Sequence, residues 1–488
     1  MDWGVTLSLA IVLILFLFST GMPIFIAFLV VNVGGVALLF GTTGFGMFTN
    51  SFYNTVTQDS LMAIPLFILM GEVLFRSNAV EILIDSIDKM VGNVRGRHYV
   101  LVTALSTVFG ALSGSAVAVA AMLGRSVMPI MQERGYDTRL SVGAILGGAS
   151  LAPVIPPSLL VIMIGSMVDT SIAKLLFAGI LPGVMLASMM VAYNYFRILR
   201  NPKLEPPRDA LARKAAVAGS GVGAKAGAAE GAVALRDMPV AEFGVSGGSA
   251  DGATLAVEAV EDLRPRSGAG EFFMAFARTL PFLVVIFSVM GLILMGVATP
   301  NESAGTGVVG ALIAAAIFRK LSVKMFCQAV LGTAAVSTMI LVIIACSMFF
   351  GQLLSFTGAS GGLIQLASEL GLSSGWTFLV LMLIPFFLCM FIDLFAVMLI
   401  AIPIYDPLLG VYNFDPVWFW TLFLINMTLG AMTPPFGYTI FSLKGASPDL
   451  PMDDVYAGAW PMVGLFVVGM TIMYFFPSIV TFLPSFVR

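Results

Sequence analysis

Long apolar runs constrain the fold of this chain more than any other feature of its sequence. Crossing the hydrocarbon core of a bilayer takes about 20 mostly apolar residues in a helix. The backbone finds no hydrogen-bond partner in lipid, so a spanning run of this kind must be helical. The runs therefore predict an all-α polytopic membrane protein. They lie near residues 5–20, 21–40, 60–76, 140–168, 175–196, 279–298, 304–319, 326–351, 417–442 and 458–484.

Composition agrees with that prediction and excludes several functions. Charged residues make up 10% of the 488 residues, whereas soluble domains contain about 25%. The net charge is −3, and without a basic excess the chain cannot hold a phosphate backbone, which excludes nucleic acid as a partner. One histidine and three cysteines exclude a histidine-rich metal site and a disulfide framework. The sequence has no G-x-x-x-x-G-K-S/T loop, which excludes ATP hydrolysis.

One segment, residues 203–270, breaks the apolar pattern. It is rich in alanine, glycine and serine and has few aromatic residues with which to build a core. Such a composition predicts a flexible linker with room for short helices, rather than a span or a domain. A regulatory tail is the alternative interpretation. We expect a cytoplasmic insertion between a first half, 1–200, and a second half, 271–488.

Lysine and arginine gather on the cytoplasmic loops of membrane proteins, and their positions predict the orientation. Basic residues lie at both ends of an apolar stretch near 99–131, within 89–97 and 125–139. A single crossing would leave one basic end on the wrong side, so the stretch is predicted to be a re-entrant hairpin entering from the cytoplasm. A second stretch, 376–404, has no basic flank and is predicted to enter from the outside. The same rule places outside the N-terminus and the loops 41–59 and 405–416.

Three pairs of landmarks recur at nearly one spacing along the chain. Double prolines interrupt two apolar runs, and the separation of these two breaks along the chain is called here the repeat interval. The same interval separates the polar tip of the first hairpin from the only charge of the second, and nearly the same interval separates two single prolines that open other runs. Each half then has about five crossings plus a hairpin, which predicts two inverted-topology repeats, as in secondary transporters. The pairs are Pro157 and Pro435, Ser115 and Asp393, and Pro23 and Pro300.

The double prolines and the hairpin tips are the candidate binding elements. A proline inside a helix removes a backbone donor, so two in succession leave carbonyls without partners. Lipid does not tolerate such a break unless it lines a buried or wet cavity, where free carbonyls can bind a small hard cation. Hairpin tips add helix N-termini for an anion and C-termini for a cation. Simple kinking of the spans is the alternative interpretation.

Four ionisable residues have separate interpretations. Asp393 is expected to bind a cation, with a proton relay and a solvated tip as the alternatives. Glu72 is expected to pair with a basic residue or to cap a bend at the interface, and Glu302 to act as an acid at a helix N-terminus. His98 lies in a basic loop and is expected to be solvated. Because it is the only histidine, an intramembrane serine protease or metalloprotease is disfavoured, and the chain is not predicted to be an enzyme.

Several motifs resemble a known family. The chain carries FGALSGSAVA at 109–118, RGYD at 134–137, IPPS at 155–158, LFAGILPG at 176–183 and TPPFG at 433–437. In this order they resemble the large membrane subunit of tripartite ATP-independent periplasmic (TRAP) transporters, over nearly the whole chain except 203–270. The resemblance implies sodium-driven uptake of a small organic anion, mostly a carboxylate. It also implies an elevator mechanism, in which a transport domain with both hairpins slides against a scaffold domain.

The resemblance further implies a location and two protein partners. The protein is expected in the bacterial inner membrane, beside a small four-helix membrane subunit and a soluble periplasmic binding protein that delivers the substrate. A cation-coupled anion transporter that works without a binding protein, on a similar hairpin-repeat elevator fold, is the alternative. A channel is a further alternative, although hairpins entering from both faces would be unusual in one.

The family's cation sites lie at the hairpin tips and the facing proline breaks. The substrate is implied to lie between them, near Ser113, Ser115 and Ser158. Many members carry an acid after the SGSAVA run, where this chain has Val119, and a glycine before the first break, where it has Ala152. The implied sodium ligands are Ser113, Ser115, Ala152, Ile155 and Pro157 at the first site, and Asp393, Gly430, Thr433 and Pro435 at the second.

Overall fold

The computed structural model describes residues 3–41, 44–77, 86, 96–168, 170–205 and 269–487. Every regular element within these ranges is a helix, which confirms the predicted all-α class. Six described helical segments are at least 18 residues long and apolar enough to cross a membrane, and a pair of helices bent by 55° is a seventh candidate. The protein is therefore a polytopic membrane protein. Most of the predicted linker, 203–270, lies outside the described residues.

The helices are numbered here along the chain. Those of the first half are α1 (Trp3–Ser19), α2 (Ile24–Leu39), α3 (Gly44–Val56), α4 (Ala63–Arg76), α5 (Arg97–Ser113), α6 (Ala116–Ser126), α7 (Met128–Glu133), α8 (Thr138–Leu151), α9 (Leu159–Met167), α10 (Ile172–Ala178) and α11 (Ile180–Arg200). Those of the second half are α12 (Ala269–Leu294), α13 (Pro300–Ile317), α14 (Val323–Phe356), α15 (Ala359–Glu369), α16 (Ser374–Phe391), α17 (Leu394–Val411), α18 (Pro416–Ala431), α19 (Tyr438–Ala446), α20 (Met452–Phe475) and α21 (Ser478–Thr481).

Each predicted hairpin consists of two helices joined by a short turn. In the first, α5 ends at Gly114, whose positive φ of 64° suits a residue without a Cβ. Ser115 then begins α6 as its N-cap. In the second, only Ile392 and Asp393 separate α16 from α17. The two arms pack against each other in both hairpins, whereas their entry and exit on one side of the bilayer stays a prediction.

The double prolines divide two of the predicted spans. The run 140–168 contains α8 and α9 with residues 152–158 between them, and the run 417–442 contains α18 and the start of α19 with residues 432–437 between them. Proline has no N–H and clashes with the preceding turn, which explains why each first helix stops there. Both proline pairs, Pro156–Pro157 and Pro434–Pro435, have cis peptide bonds.

The helices pack as two groups, each built from both halves of the chain. One group contains α1–α4 and α12–α15, with α4 packed on α13 and α14. The other contains α5–α11 and α16–α21, with α8 packed on α20 and α6 on α19. In the first group, for example, the Asn32 side-chain amide donates to the Cys346 carbonyl at 2.7 Å. The groups meet where α14 and α15 lie against α17, and where α4 lies against α5 and α9.

Two acidic residues lie as predicted. The Glu72 carboxylate accepts a hydrogen bond from Arg76 Nε at 2.7 Å, one turn along α4. The Glu302 carboxylate accepts a 2.8 Å hydrogen bond from the N–H of Thr299, and Thr299 caps α13 in return. That backbone bond, together with the Thr299 hydroxyl, lowers the pKa of Glu302 below its ordinary value. Both residues therefore stabilise local helical structure.

The prediction of a solvated His98 is wrong. The side chain is buried, 6% exposed, because the RGYD segment folds over the beginning of α5. Both ring nitrogens have partners at 2.7 Å, Arg134 Nη1 on one side and the Tyr136 hydroxyl on the other. Burial lowers the pKa of His98 to about 3, and the charges of Arg134 and Arg97 add to the effect. His98 is therefore neutral and structural at the base of the first hairpin.

Candidate functional site

The tip of the first hairpin lies against the first proline break. Gly110, near the end of α5, is so close that a Cβ added to it would lie 2.5 Å from the Cα of Ala152. A Cβ added to Gly114, at the turn, would lie 3.5 Å from the backbone nitrogen of Leu159, where α9 begins. Glycines therefore allow the close approach. The missing side chain of Gly110 therefore leaves room for the methyl group of Ala152.

The predicted serine ligands lie around this contact. Ser115 is partly exposed, and its hydroxyl caps α6 by accepting a 3.3 Å hydrogen bond from the N–H three residues later. Ser158 is fully buried, and its hydroxyl donates to the carbonyl of Pro153 while accepting the N–H of Val161 at 3.4 Å. The Ser158 hydroxyl thus closes the break and caps α9. The side chain of Ser113 lies outside what the structure describes.

The first break also contains backbone oxygens that suit a cation. Within the described part of the chain, the carbonyls of Ala152, Ile155 and Pro157 accept no hydrogen bond. Ala152 and Pro157 are buried, and Ile155 is partly buried. Buried carbonyls are almost always paired, and unwound backbone carbonyls are the groups that transporters use for sodium. These three residues therefore have the chemistry that a sodium site needs.

The second hairpin meets the second break in a corresponding way. Asp393 is the N-cap of α17, and its Oδ2 accepts a 2.9 Å hydrogen bond from the N–H of Phe395. A Cβ added to Gly430, near the end of α18, would lie 2.5 Å from the carbonyl oxygen of Phe386 in α16. Gly430 follows Ala152 by the repeat interval. Both repeats thus place a glycine at the contact with the hairpin, on the hairpin itself in the first repeat and on the helix that leads into the break in the second.

The predicted oxygens of the second break already have partners in the protein. The carbonyls of Gly430 and Thr433 accept backbone N–H groups of the break at 3.1 and 3.0 Å. The Thr433 hydroxyl donates back into α18 at 2.6 Å, and the Pro435 carbonyl accepts the Tyr456 hydroxyl at 3.0 Å. A cation here must replace some of these hydrogen bonds. The carboxylate of Asp393 is the group that could compensate for their loss.

Four helices begin around the two contacts between a hairpin tip and a proline break. Gly114 places the start of α6 beside the start of α9. Helices α6 and α19 run side by side in the same direction, since Ser442 and Ser447 donate to successively later carbonyls of α6, at 2.9 and 2.6 Å. The rings of Phe391 and Phe436, which precede α17 and α19, lie 4.9 Å apart between centroids. The N-termini of α6, α9, α17 and α19 therefore meet in one region.

This meeting of helix N-termini determines what the site can bind. The first N–H groups of a helix have no partner within it, and the helix dipole adds partial positive charge at that end. Several such ends close together favour an anion such as a carboxylate. Asp393 adds one negative charge, which a cation can neutralise. The arrangement can therefore hold an anion and a cation close to each other.

The sequence interpretation missed three residues that build this region. Gly110 lies within the motif at 109–118, but only the structure shows the close approach that it permits. Phe391 and Phe436 could have been found from the repeat, because they follow Ser113 and Ser158 by the repeat interval. Adding the repeat interval to each predicted serine ligand of the first repeat, and not only to Ser115, would have placed both aromatic residues at the second tip.

Comparison with known proteins gives the family. The family model described as tripartite ATP-independent periplasmic transporter, DctM component, matches residues 11–479. The chain is 26% identical to the ectoine TRAP transporter large permease protein of Halomonas elongata, over 95% of each chain. It is 24% identical to the C4-dicarboxylate TRAP transporter large permease protein of Pseudomonas aeruginosa, over 92% of this chain and 91% of the relative. It is 25% identical to the 2,3-diketo-L-gulonate TRAP transporter large permease protein of Escherichia coli, over 95% of each.

A solved structure has a similar fold. The crystal structure of the Alcanivorax borkumensis YdaH transporter matches with a TM-score of 0.56 and 12% identity, over 91% of each chain. At that identity the likeness concerns the fold alone. The family match is of a different kind, because it spans both hairpins and both proline breaks. The chain belongs to the family of tripartite ATP-independent periplasmic transporters, as a DctM component, which is the large membrane permease.

Proposed function

We propose that this protein is the permease of a sodium-coupled uptake system for a small organic anion with a carboxylate group. The observation that carries the proposal is the meeting of four helix N-termini, two at the hairpin tips and two at the proline breaks. Such ends favour an anion without requiring a basic side chain. One relative is named for C4-dicarboxylates, which agrees with a carboxylate substrate.

The case for sodium rests on the oxygen ligands of the two tips. The first break has three carbonyls without a hydrogen bond among the described residues, and the second tip has the carboxylate of Asp393. Hard oxygen ligands suit a small cation. A bound cation beside the anion site strengthens anion binding by adding positive charge, and the anion strengthens cation binding by the same factor. That reciprocity is the thermodynamic basis of symport.

The packing of the helices supports an elevator mechanism. We assign the group α5–α11 with α16–α21 as the transport domain, because it contains both hairpins and both breaks. We assign the group α1–α4 with α12–α15 as the scaffold. Each group draws on both halves of the chain, as expected if 1–200 and 271–488 are inverted repeats. Movement of the first group against the second would carry the site across the bilayer.

The family name states that the transporter has three parts. We infer that this chain lies in the bacterial inner membrane beside a small four-helix membrane subunit. We also infer that a periplasmic binding protein delivers the substrate. In this arrangement the binding protein captures the anion, and the permease couples its entry to sodium.

Reconstitution of the complex tests the proposal. The permease and its small subunit are incorporated into proteoliposomes, and uptake of the anion that the binding protein captures is measured. We expect uptake with an inward sodium gradient and the binding protein present. Omitting the binding protein should abolish it, whereas persistent uptake would favour a transporter that works alone. Equal uptake with a potassium or pH gradient would contradict sodium coupling.

A further inference from the structure

Two phenylalanine rings lie exposed in the region where the helix N-termini meet. Phe391, the last residue of α16, is 65% exposed, and Phe436, in the second break, is 50% exposed. Their centroids are 4.9 Å apart, at an interplanar angle of 34°. The pair thus connects the tip of the second hairpin to the second break, and most of its surface is not covered by the protein.

These rings do not have the surroundings of a lipid-facing residue. Phe436 belongs to backbone that is not helical, and its neighbour Pro435 is also exposed. Irregular backbone at membrane depth occurs only within protein or beside a water-filled cavity. Phe391 lies two residues before Asp393, and ionisable residues in spans face the interior or such a cavity. The pair therefore borders the space at the tips into which a substrate would enter.

The corresponding positions of the first repeat are polar. Phe391 and Phe436 follow Ser113 and Ser158 by the repeat interval, the spacing that also relates the N-caps Ser115 and Asp393. The site is therefore two-sided. One side has the serine-capped starts of α6 and α9, and the other has two aromatic rings.

We infer that Phe391 and Phe436 form the apolar wall of the substrate site, and that the substrate is a monocarboxylate with a hydrocarbon portion. This inference rests on the proposed function. The carboxylate lies at the serine-capped helix N-termini, and the hydrocarbon portion packs on the rings. A second carboxylate would meet the ring faces, which are the negative part of the aromatic quadrupole, and would lose its hydration there. The wall therefore selects against dicarboxylates.

Binding of two matched probes to the permease–small-subunit complex tests the inference. Hexanoate and adipate both have six carbons, but hexanoate has one carboxylate and adipate has two. Dissociation constants are measured in nanodiscs by thermal shift at saturating sodium. We expect hexanoate to bind at least tenfold more tightly than adipate. In Phe391→Ala and Phe436→Ala, hexanoate binding should weaken by about tenfold and adipate binding should hardly change.

A matched control separates the loss of the apolar wall from the loss of any other exposed phenylalanine ring. Phe387 lies on α16, one turn before Phe391, and is 55% exposed. Phe387→Ala should leave both dissociation constants unchanged. Adipate binding as tightly as hexanoate to the wild type, or either wall variant behaving like the control, would overturn the inference while leaving the proposed function intact. Failure of both probes to bind in sodium would also overturn the inference, whereas the proposed function is tested separately by uptake of the anion that the binding protein captures.

Discussion

Replacing Asp393 with asparagine tests the second cation site most directly. Asp393 caps α17, and its Oδ2 accepts the N–H of Phe395 at 2.9 Å. Asparagine is as good an N-cap as aspartate, so its amide oxygen can keep this hydrogen bond. Asp393→Asn therefore removes the charge and preserves the turn that joins the two arms of the hairpin.

The expected magnitude follows from the charge and its surroundings. Two unit charges about 4 Å apart attract each other by about 4 kcal/mol at an effective dielectric constant of about 20, which suits the partly buried Asp393. Hydration of the free ion offsets part of this attraction. If about a third remains, the loss is about 1.4 kcal/mol, or tenfold in affinity. We expect the apparent sodium affinity to fall about tenfold, and substrate affinity at saturating sodium to change much less.

The assay is the sodium dependence of uptake in proteoliposomes containing the complete complex. Asp415→Asn is the matched control, because Asp415 is also an N-cap aspartate, whose Oδ1 accepts the N–H of Trp418 at 2.8 Å. It begins α18 at the end opposite to the second break. The control should give the wild-type sodium curve. The same curve from Asp393→Asn would refute the reasoning and leave a site built from carbonyls and hydroxyls alone.

Four further predictions follow from particular residues. Gly110→Ala should displace the first hairpin, because its Cβ would lie 2.5 Å from Ala152 Cα. It should lower the free energy of unfolding by about 1–3 kcal/mol and reduce transport. Gly305→Ala, whose Cβ would have nothing within 4 Å, should change neither stability nor transport. Glu72→Gln should lower stability slightly through the lost charge attraction to Arg76 without changing the sodium dependence of uptake, and a changed sodium dependence would contradict the structural role. Folding lowers the pKa of His98 from 6.5 to about 3. The contribution of the neutral His98 side chain to folding stability is therefore complete above about pH 6.5 and is lost as pH falls towards 3. The wild type should therefore lose about 2 kcal/mol at pH 5, and His98→Gln should show less of this loss in thermal unfolding. Deleting 210–262 should leave uptake within a few-fold of wild type, and lost uptake with normal membrane insertion would indicate a role for the linker.

The local features of this protein could be predicted from its sequence. Apolar length predicted the spanning helices, paired prolines predicted where α8 and α18 end, and Gly114 suits the left-handed turn between α5 and α6. The repeat interval placed Ser115 and Asp393 at equivalent positions, and both are N-caps in the structure. Each of these features depends on interactions within a few residues, so a short stretch of sequence contains the information.

The meeting of particular helix ends, by contrast, depends on tertiary packing. The hydrogen bond from Ser442 to Val117 joins residues 325 apart, and no local pattern predicts such a pairing. The same holds for the approach of Gly110 to Ala152, for the partners that bury His98, and for the contact between Phe391 and Phe436. Burial, free carbonyls and the combined field of several helix ends depend on the packing of distant segments. The chemistry of the site therefore belongs to the assembled fold, because it arises only when four separate helix N-termini come together.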